Sequence, residues 1–185
     1  AISRTLARAF ADDPVMQFLV AGNALPEHKA MKFFDVFQRL HMHHGHVYTT
    51  HDGGAAAIWA PPGEWKMRFR SVLRHSPTFL QLYGSRFIPN LSVLNLLEKE
   101  HPSAPHYYLQ FIGTDPEHQG KGLASALIRP MIERADVEAV GIYLESSKES
   151  NVPFYSRFGF EVRKEIRHRR NGPAQWLMWR DPQLG

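Results

Sequence analysis

Apolar residues along this chain alternate between two kinds of spacing. Helical spacing comes first. Leu6, Ala9 and Phe10 follow Ser3, a residue that can cap a helix, and Asp12-Asp13-Pro14 ends the segment. Pro26 opens a second helix, on which Met31, Phe34, Phe37 and Leu40 recur every three residues as a core-facing stripe. Gly45 closes it. Residues 47–50 and 55–60 then flank Asp52-Gly53-Gly54, the pattern of a β-hairpin, which Pro61-Pro62-Gly63 ends. Residues 65–101 return to helical spacing in pieces. Ser76-Pro77 reads as a cap followed by a first-turn proline, Pro89 begins another helix, and Pro102 stops it. The near-continuous apolar run YYLQFIGT (107–114) suits a strand at a sheet centre. A helix from about 122 to 134, a strand GIYLESS, a short helix ending at Gly159, and strands over 161–169 and 175–179 complete the pattern. The expected fold class is α/β, in one domain over residues 1–185.

Composition narrows the chemistry. The chain has no cysteine, which excludes disulfides, cysteine zinc sites and a cysteine nucleophile. A net charge of +4 favours an anionic ligand but is too small to argue for nucleic acid. No apolar run approaches the roughly 18 residues of a membrane span. Arg4, Arg8, Asp12 and Asp13 leave no signal-peptide core near the start, so a cytoplasmic protein is expected. The chain opens on Ala1 rather than Met, and residues are expected to precede it.

The stretch TDPEHQGKGLAS (114–125) is a turn, two glycines around a lysine, and a helix start, the grammar of a phosphate cradle. It is not the loop of nucleotide hydrolases. Six residues separate Gly113 from Gly120, and Gly122 stands where the magnesium-holding hydroxyl is needed. The dinucleotide fingerprint fails as well, since Ser125 stands at its third glycine. Gln119-x-x-Gly122-x-Ala124 remains, with small residues that let backbone N–H groups approach an anion at a helix N-terminus. A plain strand-to-helix turn without ligand is the alternative.

About thirty residues on stands Asn151-x-x-Phe154-Tyr155-x-x-x-Gly159-Phe160. The two motifs together resemble the GNAT superfamily of N-acetyltransferases. Within it, RTLARAFADDP, DGGAAAIWAPP, YYLQFIGTDPEHQGKGLAS and LESSKESNVPFYSRFGF are similar to puromycin N-acetyltransferase-like members. The resemblance is weakest over residues 64–101. It implies acetyl-CoA as co-substrate, no metal, and a mixed, mostly antiparallel sheet flanked by helices and splayed between strands 107–114 and 141–147. The coenzyme half is expected at about 105–160 and a variable acceptor side at about 64–101. Carried over by position, backbone groups of Ile112, Gly113 and Thr114 would pair with the pantetheine. Those of Gln119, Gly120, Lys121, Gly122, Leu123 and Ala124 would hold the pyrophosphate. Asn151 would contact the pantetheine amide region, and Tyr155 would stand near the thioester sulfur. The chain departs from the family pattern at Ala124, at Thr114, and in lacking the usual strand before the first helix.

Chemistry agrees with these roles. Attack of an amine on a thioester builds an oxyanion, which a backbone N–H near Ile112 could stabilise. The Tyr155 hydroxyl could protonate the departing thiolate, although an aromatic on a short helix also serves packing. Glu145 is the first candidate for the base, with His106 and Glu64 behind it and water as a further option. His41, His43, His44 and His46 tempt a metal reading, but no acidic or cysteine partners accompany them and a solvated helix end is expected. RKEIRHRR (163–170) lacks interleaved aromatics and reads as a solvated strand. Trp59, Trp65, Phe69, Phe79, Tyr83 and Phe87 are candidate acceptor-pocket walls or ordinary core. The expected activity is acetyl transfer to an amine of a small molecule by direct attack in a ternary complex, in a monomer or homodimer without nucleic-acid or membrane partners. A protein amine acceptor and a silent acyl-CoA-binding module are the alternatives.

Overall fold

The structure, a computed structural model, describes residues 1–20, 25–66, 69–168 and 171–183. Helices α1 (Ile2–Ala9), α2 (Pro14–Leu19) and α3 (Glu27–Met42) come first, then strands β1 (Val47–Thr49) and β2 (Ala55–Ala60). Helices α4 (Phe69–Tyr83) and α5 (Phe87–Glu100) lead to β3 (His106–Thr114), α6 (Leu123–Val137), β4 (Gly141–Ser146), α7 (Val152–Ser156), β5 (Glu161–Arg167) and β6 (Ala174–Arg180). The strands form one sheet in the order β1-β2-β3-β4-β6-β5. β3 and β4 are parallel, and every other pair is antiparallel. The α/β class and the mixed, mostly antiparallel sheet flanked by helices are as expected from the sequence, and α1 is the first element.

Burial explains the layering. β2 is buried along its whole length because helices cover both faces of the sheet. On one face, Leu6 of α1 and Phe34 and Phe37 of α3 pack with Ile58 and Phe111. Gly113 is required there, since a Cβ would stand 2.6 Å from the Cβ of Ala9 on α1. On the other face, Ile128 and Met131 of α6 and Tyr155 of α7 pack with Trp59, Leu109 and Leu144. On the first face, Leu96 and Leu97 of α5 lie against Tyr143, Ile166 and Leu177. β5 forms one edge of the sheet and exposes nearly all its residues.

Several local expectations change. α1 ends at Ala9, ahead of Asp12-Asp13-Pro14 as expected, but Asp13 also opens the next helix: it caps α2, its Oδ1 accepting from the N–H groups of Val15 and Met16 at 3.0 and 2.8 Å, with Pro14 at the first helical position. An Asp-Pro pair serves equally as a stop and as a start, and tertiary contacts select the start. Asn90 and Arg86, near the beginning of α5, donate to the carbonyls of Leu19 and Phe18 at the other end of α2. Ser76 and Pro77 lie inside α4 instead of capping a new helix. His41 and His46 are buried rather than part of a solvated helix end. Trp59 faces α6, on the side away from the expected acceptor walls, while Phe79, Tyr83 and Phe87 join the core of the first face. The Phe69 side chain lies outside the described residues. The charged run is an edge strand as far as Arg167, then turns His168 inward; residues 169–170 lie outside the described residues.

Candidate active site

The sheet comes apart where the two motifs meet. β3 and β4 pair from His106↔Gly141 to Leu109↔Leu144 and then separate. Beyond that point β3 continues to Thr114 on β2, and β4 continues to Ser146 on β6. Gln110 is an extra residue against β2, since Ile58 pairs with Phe111 and Trp59 with Leu109. Such a bulge bends the strand away from its neighbour. The cleft therefore opens between Gln110 to Thr114 on one side and Glu145 and Ser146 on the other.

The phosphate-type loop lies beyond the end of β3. Asp115 accepts from the N–H of Glu117 in a short turn, and Arg8 of α1 holds that turn through Asp115 at 3.1 Å and Glu117 at 2.7 Å. The Asp115 N–H donates to the carbonyl of Gly54 in the hairpin at 2.9 Å. Gly54 must stay bare, since a Cβ would come within 2.9 Å of His118 and Leu123. Gly120 and Gly122 take φ of +77° and +75°, where glycine carries no penalty. A Cβ at either would meet nothing within 4 Å, so open space lies above both. Gly122 caps α6 without any side-chain bond, and among the described residues the N–H groups of Gln119 to Ser125 have no acceptor. This loop, and the parted strands leading to it, fit the diphosphate and extended arm of an acyl-coenzyme A. Gln119 Nε2 reaches back to the Thr114 carbonyl at 3.4 Å, and Lys121 is exposed. Asn151 precedes α7, with an exposed side chain that makes no capping bond.

Tyr155 is 8% exposed and stands edge-on to Phe154 and Phe160. Burial, and after it the charge of Asp13, push its hydroxyl well above the usual tyrosine value, so it stays protonated at neutral pH. Asp13 is a residue that sequence reasoning missed. It is 4% exposed, and its second oxygen accepts from Ser147 at the end of β4. Burial raises its pKa against the opposing pull of Ser147 and the Met16 N–H. The Asp-Pro pair was the available signal, because a helix-capping aspartate is held in place by backbone N–H groups.

Glu145 is the first β4 residue past the last pair with β3. Its Oε2 accepts from the Tyr108 hydroxyl at 2.6 Å, while Oε1 lies 3.9 Å from His101 Nδ1. Burial raises its pKa to about 7, against the stabilising hydroxyls of Tyr108 and Tyr143. Trp65 stacks on His101 at 3.6 Å and closes this corner. His106 is buried in the same corner, bonded to His101 and to the Ala104 carbonyl. Glu64 sits in the turn that follows Pro61. Among the described residues, no three His, Asp or Glu side chains converge as a metal site, and no helix is long and apolar enough to cross a membrane.

Comparison with known proteins agrees with this geometry. The family model for the acetyltransferase (GNAT) domain matches residues 92–162. An uncharacterized N-acetyltransferase of Schizosaccharomyces pombe is 31% identical over 196 aligned positions, covering 97% of this chain and 78% of its own length. Two solved structures share the fold. One, from Corynebacterium glutamicum, is described as histone acetyltransferase HPA2 and related acetyltransferase; it has a TM-score of 0.71 at 24% identity, over 100% of this chain and 91% of its own. The other, an apo agmatine N-acetyltransferase, has a TM-score of 0.63 at 14% identity, over 95% and 90%. The chain belongs to the GNAT family of acetyltransferases.

Proposed function

We propose that this protein transfers acetyl from acetyl-CoA to an amine of a small molecule, by direct attack in a ternary complex, as a cytoplasmic enzyme of one domain. The observation that carries the reading is the parting of β3 and β4 after Leu109 and Leu144, in line with the unpaired N–H groups ahead of α6. The coenzyme half is assigned to about 105–160. In this reading, Gln119, Gly120, Lys121, Gly122, Leu123 and Ala124 hold the diphosphate by their backbones. Ile112, Gly113 and Thr114 pair with the pantetheine, and Asn151 contacts its amide region.

Tyr155 is the acid and Glu145 the base. The base takes a proton from the amine, whose nitrogen forms the bond to the acetyl carbon. The carbon–sulfur bond breaks, and the Tyr155 proton goes to the sulfur. A raised hydroxyl pKa suits an acid that must arrive protonated, and a carboxyl near 7 suits a base at working pH. Asp13 stabilises the protonated state of Tyr155 by its charge.

Two features favour a small acceptor. α5 covers the sheet face on which Tyr143 and Leu177 flank Glu145, leaving a corner closed by Trp65 and His101. An agmatine N-acetyltransferase, named for a small amine, shares the fold. The stretches similar to puromycin N-acetyltransferase-like members make amine-bearing antibiotics the first class to assay. Calorimetry with acetyl-CoA and with ATP tests the donor: acetyl-CoA is expected to bind and ATP is not, and the reverse would sink the proposal. A screen of amines for free thiol release tests the acceptor.

A further inference from the structure

The polar corner behind Glu145 obeys a donor count that fixes where its protons sit. A carbonyl oxygen only accepts, so the 2.6 Å contact between His106 Nδ1 and the Ala104 oxygen requires a hydrogen on Nδ1. Burial lowers the His106 pKa, so the ring is neutral and its Nε2 is bare. That bare nitrogen lies 3.0 Å from His101 Nε2, which must carry the hydrogen between them. His101 is also neutral: burial, then His106 and Lys66, push its pKa down to about 3. His101 Nδ1 is therefore a lone pair. It faces Glu145 Oε1 across 3.9 Å, with the two side chains 2% and 6% exposed. Two lone pairs opposed in a dry site repel, and a hydrogen on Oε1 removes the repulsion. The other oxygen already accepts from Tyr108.

We propose that His101 and His106 are positioning residues that hold a proton on Glu145 Oε1 in the free protein, and so set the pH at which this carboxyl becomes a base. The catalytic half of this inference rests on Glu145 being the base. The chain of causes runs outward from the backbone: the Ala104 carbonyl fixes His106, His106 fixes His101, and His101 fixes the carboxyl. To act, Glu145 first releases its proton to solvent and then takes one from the amine. The groups around it leave this order intact. β3 contributes Tyr108 and β4 contributes Tyr143, hydroxyls that favour the carboxylate but are outweighed by burial. From the end of α5, Glu100 is paired with Lys164 of β5 at 2.7 Å. From β6, Trp179 donates to Asp181 at 2.7 Å. Beside Trp65, Lys66 is paired with Glu98 of α5 at 2.8 Å. Among the described residues, no cation pairs with Glu145.

Nitrogen-15 NMR of the histidine rings in the full chain at pH 6 tests the proton placement without any turnover. The expected spectrum has both rings neutral, with the hydrogen on Nδ1 of His106 and on Nε2 of His101. An imidazolium at His101, or a hydrogen on its Nδ1, overturns the proposal. The variant His106→Phe then tests the consequence. It strips the acceptor from His101 Nε2 and lets the ring present a hydrogen to Glu145, which favours the carboxylate. The acid limb of kcat/KM against pH is expected to move to lower pH by about one unit. An unmoved limb in a variant of normal thermal stability overturns it. Glu145→Gln separates the two claims. A wild-type pH profile in that variant, beside the expected ring tautomers, removes Glu145 as the base and leaves the proton placement standing.

Discussion

The two sides of the parted strands work by different means. Toward α6, the groups that could meet a diphosphate are backbone N–H groups from Gln119 to Ala124, set under open space, with the Tyr155 hydroxyl of α7 as the one side-chain acid proposed on that face. Toward α5, the chemistry sits in side chains: Glu145, Tyr108, Tyr143, His101 and His106, packed under Trp65. The first side needs small residues and a helix start, and tolerates variation in every side chain that points away. The second needs particular rings and hydroxyls delivered from distant parts of the chain, and holds their pKa values far from solution by excluding water. Donor binding and proton handling thus make separate demands on the sequence.

That contrast is open to attack, beginning where the largest effect is expected. Tyr155→Phe removes the acid while keeping the ring that packs on Phe160. Turnover should fall by roughly 100-fold or more with acetyl-CoA affinity unchanged; steady-state kinetics beside calorimetry check this, and equal turnover would remove Tyr155 from the chemistry.

The next effect is on stability. The folded pKa of Glu145 is about 7 against an ordinary 4.5, so between those values the folded state holds a proton the unfolded chain has released. This contribution is complete below about pH 4.5 and is lost as pH rises through 7, by roughly 3 kcal/mol at most. His101 runs the other way. Its folded pKa of about 3, against 6.5, makes stability fall as pH drops below 6.5. Denaturant unfolding of Glu145→Gln across pH 4 to 8 should lack the alkaline loss and keep the acid one. If both slopes persist, the corner is wetter than the structure has it.

Gly122→Val challenges the opposite side. A branched residue at φ of +75° costs about 1–2 kcal/mol and fills the cradle. Acetyl-CoA affinity should drop by about tenfold, with the pH limbs of the reaction unmoved. The smallest effect is outside the site. His41 is 3% exposed, among the described residues neither ring nitrogen has a hydrogen-bond partner, and burial with His44 and His43 pushes its pKa down to about 4. His41→Phe should raise stability by about 1 kcal/mol near pH 7, and by more in acid, in thermal melts.

The same division decides what was legible in the sequence. The loop ahead of α6 could be read because its features are local: glycines, a turn and a helix start within about a dozen residues. The strands along the chain followed from apolar spacing, and the pairing of the first two from the hairpin turn at Asp52-Gly53-Gly54. Of the corner around Glu145, the sequence showed a carboxylate near a strand end, His106 as a further candidate and Trp65 as a candidate wall, but not that the three meet. Its partner His101 follows α5 and gains meaning only when that helix lies beside β4, a long-range event without local spacing. Asp13 was hidden for another reason, since an Asp-Pro pair carries two opposite local signals and packing against Ser147 chooses between them. The histidines of 41–46 misled because a run of polar rings reads as solvated, whereas helix phase turns His41 into the core.

The exposed strand at the far edge of the sheet has a consequence for the protein in crowded solution. β5 carries Glu161, Arg163, Lys164, Glu165 and Arg167 around its unpaired margin, and several of these are already tied in ion pairs. A second molecule adding a strand there would have to dehydrate those charges for a few backbone hydrogen bonds. At the opposite margin β1 offers only three residues as a template. The sheet is thereby guarded at both ends against growth from molecule to molecule, and the molecule against edge-to-edge aggregation.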